Sequence, residues 1–191
     1  MTAAHTTIGE GPPVLLLGDR PQMWEELLPL LEPWMQAIVP ADPATGAELA
    51  GQLGLEEFAV VGQGEAGVHA QRLAAAGNVK TMILLGSPEA PGVDLHELDI
   101  PAFLLWGEDD DVVPIAVAER MSDALDFSTL ALIPECGHDT LADDGPTAIP
   151  LVYEFLRMRF LGKSHGHSEE ASGGGAVPIQ ILTHRPDPSQ L

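Results

Sequence analysis

Residues 58–67 (FAVVGQGEAG) constrain the fold of this 191-residue chain more than any other stretch. Phe58, Ala59, Val60 and Val61 form a short apolar run of strand type that stops at Gly62. Gln63, Gly64, Glu65, Ala66 and Gly67 are mostly small, and a helical pattern follows with Val68, Gln71 and Leu73 among alanines. A buried strand that feeds a helix through so tight a turn presents the residue at its tip at the end of a sheet. Backbone and helix pass so close there that small neighbours are required, and the tip takes a conformation that suits glycine.

Five further runs repeat the strand signal: residues 14–17 (VLLL), 37–39 (AIV), 82–85 (MILL), 102–106 (AFLLW) and 130–133 (LALI). They are apolar on both faces, as a central parallel sheet demands. Helical patterns lie between them. Residues 23–34 place Trp24, Leu27, Leu28 and Leu31 on one face, with a kink or break expected at Pro29. Thr45 reads as the N-cap of a helix to Leu53, and residues 114–125 and 146–161 read as two more helices. Strands and helices alternate, so the expected fold is α/β, a mostly parallel sheet of about six strands flanked by helices. Residues 1–12 read as an irregular lead-in, 13–161 as the domain, and 162–191 as a flexible linker and tail peptide.

The chain holds 29 Asp and Glu against 8 Lys and Arg, a formal net charge of −21. Nucleic acid and anionic membranes attract basic patches, so neither is an expected partner. A single cysteine, Cys136, excludes an internal disulfide and fits a reducing, cytoplasmic setting. The first residues lack the charged flank and apolar core of a signal peptide, and no apolar run reaches the length of a membrane span.

Two loops carry candidate chemistry. Residues 104–114 read LLWGEDDDVVP, and residues 133–138 read IPECGH. A buried carboxylate holds an imidazole in one tautomer and stabilises its charged form. A histidine is the natural base because it changes charge near neutral pH. Three aspartates alone would read as a solvated loop, and a lone loop histidine as a surface residue. Both loops, however, follow strands, and ligands of open parallel sheets bind at the C-terminal strand ends.

Residues 60–67 (VVGQGEAG), 104–114 and 133–138 together resemble the α/β-hydrolase family, in the family order of elbow, acid and base. The resemblance covers residues 14–161. It implies Asp110 as the triad acid and His138 as the triad base, and it places the nucleophile on Gly64, which has no side chain. It also puts the two oxyanion-type backbone N–H groups on Arg20 and Glu65. The carboxylates of Asp19 and Glu65 would then stand where negative charge develops, which opposes acyl transfer. Family members often open with an antiparallel pair of strands and carry a helical lid. Here that pair is expected to be reduced or missing, and residues 89–101 allow a loop and one turn, hence a lidless, open site.

Substitute nucleophiles are few: Ser87 at the end of the neighbouring strand, Cys136 beside the base loop, or Glu65 if the elbow were shifted by one residue. His165 and His167 lack the fixed geometry of a metal site, and no metal or cofactor is expected. The reading that follows is a pseudoenzyme, a hydrolase-like binding or accessory subunit without serine-hydrolase activity. Its alternative is an enzyme that uses the His138–Asp110 dyad to activate water or abstract a proton without a covalent intermediate; a hydrolase with a displaced nucleophile comes third. A small-molecule ligand at the strand ends is one expected partner. A protein reached through the tail is the other, where Ala176, Ile179, Ile181 and Leu182 form an apolar segment. That segment either stays disordered or docks as an added strand on the parent sheet edge or on a partner.

Overall fold

A computed structural model describes residues 3–161 and 180–183. Among these residues one sheet holds β1 (His5–Ile8), β2 (Pro13–Leu17), β3 (Gln36–Pro40), β4 (Phe58–Gln63), β5 (Val79–Leu85), β6 (Ala102–Gly107), β7 (Ser128–Ile133) and β8 (Gln180–Thr183). The helices are α1 (Leu28–Leu31), α2 (Gly46–Gln52), α3 (Ala66–Ala76), α4 (Ile115–Ala124), α5 (Thr140–Asp143) and α6 (Gly145–Phe160). The spatial order is β1-β3-β2-β4-β5-β6-β7-β8. Strands β2 to β7 run parallel, while β1 and β8 pair antiparallel at opposite edges. From β2 the chain first steps outward to β3, then returns to β4 and continues the other way. The order therefore reverses between β2 and β4, and a crevice opens at their C-terminal ends.

Alternation along each strand sends neighbouring side chains to opposite faces. One face packs Leu15, Val60, Leu84 and Leu104 against Ala70 and Leu73 of α3 and Ala118 and Met121 of α4. The other packs Leu16, Val61, Leu85 and Phe103 against Trp24, Leu31 and the α6 residues Val152 and Phe155. Phe103 stacks on Phe155 with ring centroids 5.0 Å apart. Both faces are covered, which is why the strand runs are apolar throughout. None of the helices in the described residues is long and apolar enough to cross a membrane.

The structure departs from the sequence reading in four places. Residues 1–12 are not wholly irregular: His5–Ile8 pairs with β3, so one antiparallel strand stands where a pair was expected reduced or missing. His5 and Ile8 are half-buried and Thr6 and Thr7 exposed, and an edge strand of that kind carries no apolar run to betray it. Residues 23–34 are broken, one of the two outcomes expected, but ahead of Pro29. A 3-10 turn at Pro21–Trp24 is followed by α1, with Pro29 in the first turn of α1, where its missing N–H costs little. Thr45 takes the N-cap position of α2 as expected, but its side chain makes no cap bond; the carboxylate of Asp42 accepts from Ala44 N at 2.9 Å at the start of the 3-10 turn Pro43–Thr45. Finally, the sheet has eight strands in place of six; β8 is a piece of the tail docked on the parent sheet edge, one of the two alternatives expected for it. In the connection between β5 and β6 a 3-10 turn, Leu95–Glu97, is the regular structure, so no lid domain covers the strand ends.

Two glycines let α3 lie against the sheet. A Cβ on Gly62 would come within 2.6 Å of Gly67 Cα, and one on Gly67 would collide with the side chain of Ser87. Gly67→Ala should therefore destabilise the fold by about 1–3 kcal/mol through overpacking. A thermal melt should fall by roughly 5 °C for a chain of this size; an unchanged melt would mean that α3 is not seated as described.

Candidate active site

The elbow is built. Gly64 follows β4 with φ +53°, and its N–H donates to Leu85 O at 2.9 Å. The chain turns at once into α3, whose N-cap residue is the exposed Glu65. The tip is Gly64 itself, so the elbow is not shifted and Glu65 does not occupy its position.

The acid loop is held by its own motif. The Trp106 indole N–H donates to Val113 O at 2.9 Å and pulls residues 107–113 into a tight loop. Of the three aspartates, Asp109 and Asp111 are exposed and Asp110 is buried. Asp110 Oδ1 accepts from Val112 N at 2.9 Å and Val113 N at 2.8 Å. Gly107 lies beneath the base loop, where a Cβ would run into the carbonyls of Cys136 and Gly137.

That crossing delivers His138. Its Nδ1 lies 2.9 Å from Asp110 Oδ2 and 3.1 Å from Asp110 Oδ1. The Asp110 side chain is fully buried, whereas that of His138 is 28% exposed. With a proton on Nδ1 donated to the carboxylate, Nε2 is left as an acceptor. Nε2 points at the elbow: a Cβ built on Gly64 would stand 3.3 Å from it. Gly86, also at φ +53°, backs the pair, with its own Cβ position 3.2 Å from Asp110 Oδ2 and from His138 Nδ1. The structure thus brings Gly64, Asp110 and His138 together, with the imidazole between the buried carboxylate and the elbow tip.

Arg20 reaches the same loop through a polar chain that the sequence did not reveal. Its Nη2 donates to Asp139 Oδ2, and Gln63 Nε2 donates to Asp139 Oδ1 at 2.8 Å. The residue before the elbow tip, the residue after the base and the first loop are linked in this way. Arg20 is exposed, so Arg20→Ala should change stability by less than about 1 kcal/mol. A larger loss in a denaturant titration would show that the link supports the fold itself.

The substitute nucleophiles fare badly. Ser87 does not face the cleft: it is fully buried, donates to Pro88 O at 3.0 Å and accepts from Gln71 Nε2 at 3.1 Å. Burial, followed by the charges of Asp143, Asp144, Asp110 and Asp139, pushes the Cys136 thiol up to about 11, so it stays protonated at neutral pH. His165 and His167 lie outside the described residues. Two hollows open beside Asp139 and Glu65, and neither is lined by Asp110 or His138. One of about 270 Å³ is lined by Arg20, Met23, Glu26 and Asp139; one of about 540 Å³ is lined by Asp19, Glu65, His69 and Arg72.

Solved structures share this architecture. A meta-cleavage product hydrolase from Pseudomonas fluorescens IP01 superposes with a TM-score of 0.70 at 18% identity, over 80% of this chain and 93% of that one. The esterase RhEst1 from Rhodococcus sp. ECU1013 gives 0.71 at 17% identity, over 83% and 98%. An α/β-hydrolase from the sediment metagenome of the Mar Chica lagoon, Morocco, gives 0.70 at 18% identity, over 81% and 94%. The chain has the α/β-hydrolase fold. No protein-family model and no curated protein matches its sequence. The fold does not by itself assign an activity.

Proposed function

We propose that this α/β-hydrolase-fold protein works through His138 and Asp110 as a general base, without a covalent acyl-enzyme. One observation carries the reading. His138 Nδ1 is held on a buried carboxylate while Nε2 faces the position of a side chain that Gly64 lacks. A base needs a proton within about 2.6–3.2 Å, directly or through one water. With no hydroxyl at residue 64, that proton belongs to a water or to the substrate. Water activation and proton abstraction are therefore the two available steps, on a small molecule bound at the strand ends. Arg20 and Glu65 supply the oxyanion-type backbone N–H groups in this reading. Similar structures include an esterase and a meta-cleavage product hydrolase, so esters come first among the compounds to test. Wild type and His138→Ala should be compared on small esters, thioesters and carbon acids. The expected result is a loss of about 10²–10⁴-fold in the variant with an unchanged melt; equal rates overturn the reading.

A second reading, an accessory subunit, is favoured by the tail. β8 forms the outer edge beside β7, and its Ile181 is 57% exposed. Leu182 lies in the same strand, whereas Ala176 and Ile179 lie outside the described residues. An edge strand offers unpaired backbone groups to an added partner strand. Native purification with intact-mass analysis tests it: a stoichiometric protein that is lost on deleting residues 172–191 supports it, and a lone monomer removes it. A cytoplasmic location belongs to either reading.

A further inference from the structure

Three buried side-chain atoms have no hydrogen-bond partner among the described residues: Trp24 Nε1, Gln63 Oε1 and Thr140 Oγ1. Trp24 and Thr140 are fully buried, and Gln63 is 6% exposed. Strand register and loop contacts place them toward one corner of the fold. Trp24 Nε1 lies 3.2 Å from where a Cβ on Gly18 would stand. Gly18 follows Leu17, which is in register with Gly62, so Gly18 flanks Gln63 at the strand ends. Alternation puts Gln63 on the same face as Val61, the face that holds Trp24 and Leu141. Gln63 meets Asp139 through its other amide atom, and Thr140 is the next residue.

An unpaired buried polar atom is costly and uncommon, and three in one corner point to a shared partner. The chemistry of the three is complementary. An indole N–H only donates, an amide oxygen only accepts, and a hydroxyl does either. The atoms are closed to bulk solvent, so no substrate-sized group reaches them. Their partner must both donate and accept and be a single heavy atom in size.

We propose that Trp24, Gln63 and Thr140 enclose one internal water. It accepts from Trp24 Nε1–H, donates to Gln63 Oε1 and shares its remaining bond with Thr140 Oγ, about the three bonds that buried waters make. Its place gives it a task. It holds the Gln63 amide with the oxygen inward and the nitrogen outward on Asp139, the neighbour of His138. The water is then a strut between the elbow and the base loop. This site stands on the orphaned atoms alone and holds whether or not the dyad is catalytic.

A crystal structure of the full chain at atomic resolution should show a fully occupied, well-ordered peak within hydrogen-bond distance of all three atoms. In solution, oxygen-17 relaxation dispersion should count one long-lived water fewer in Thr140→Val than in wild type, and an unchanged count in Thr140→Ser. Gln63→Met should give the same loss, should Thr140→Val not fold. An empty corner in the wild-type map overturns the proposal. So does a rotated Gln63 or Thr140 side chain that pairs these atoms directly, or a water count unchanged by removing the hydroxyl.

Discussion

Gly64→Ser should turn this chain into a protein that a serine-directed fluorophosphonate labels, with His138 required for labelling. The Cβ position at residue 64 lies 3.3 Å from His138 Nε2. A hydroxyl one bond further falls within hydrogen-bond range of that nitrogen, and the nucleophile–base–acid order is then complete. The substitution has a structural cost. Gly64 sits at φ +53°, where a serine stores about 1–3 kcal/mol of strain, so the variant should melt a few degrees lower than wild type. Intact mass would show one adduct per chain in Gly64→Ser and none at residue 64 in wild type. Adding His138→Ala should slow labelling by at least about 10²-fold. Ester turnover by the variant should remain slow, because the exposed carboxylates of Asp19 and Glu65 line one hollow and, in the proposed reading, Arg20 and Glu65 carry the oxyanion-type N–H groups. A folded Gly64→Ser chain that resists the probe would mean that Nε2 does not address the elbow.

Asp110→Asn should abolish dyad chemistry while sparing the fold, and Asp110→Ala should damage both. The two variants separate the carboxylate's two jobs. In the first job Oδ1 accepts from Val112 N and Val113 N, and an asparagine oxygen can still do so. In the second the carboxylate accepts a hydrogen bond from Nδ1–H of His138. An asparagine NH₂ donates there instead, which forces the proton onto Nε2 and removes the base. A wrong tautomer of this kind costs about 10⁴-fold in a triad enzyme. The same order of loss is expected in turnover, or in labelling of the Gly64→Ser background. Asp110→Ala leaves two N–H groups without their acceptor, and the buried one, on Val113, costs about 1–3 kcal/mol. Its denaturation midpoint should therefore drop well below that of Asp110→Asn. Asparagine behaving like wild type would remove the dyad from the reaction.

The parts of the fold that were legible in the sequence share one cause. Strands β2 to β7 are buried on both faces, so each appears as an unbroken apolar run. Edge strands have no such signature: His5–Ile8 is polar and half exposed, and Gln180–Thr183 belongs to a short apolar segment that the sequence leaves between disorder and docking on the sheet edge. At the site, Asp110 and His138 were legible because fixed local geometry surrounds each. Trp106 ties the acid loop, and Gly107 leaves room for the base loop to cross. The Arg20–Asp139–Gln63 chain was not legible, since its members are far apart in sequence and meet only through the sheet order. Nor was the role of Gly86, because Gly-Ser-Pro reads locally as turn chemistry whatever lies above it.

The measurement to make is turnover of the ester, thioester and carbon-acid panel in oxygen-18 water and in deuterium oxide, with intact-mass sampling of the protein throughout. General-base action by His138 predicts label from solvent in the product of at least one compound. It also predicts no covalent adduct on wild type at any time point, and loss of the reaction in His138→Ala. An acyl adduct on the wild-type chain, turnover that survives His138→Ala, or no solvent label from any compound would contradict it.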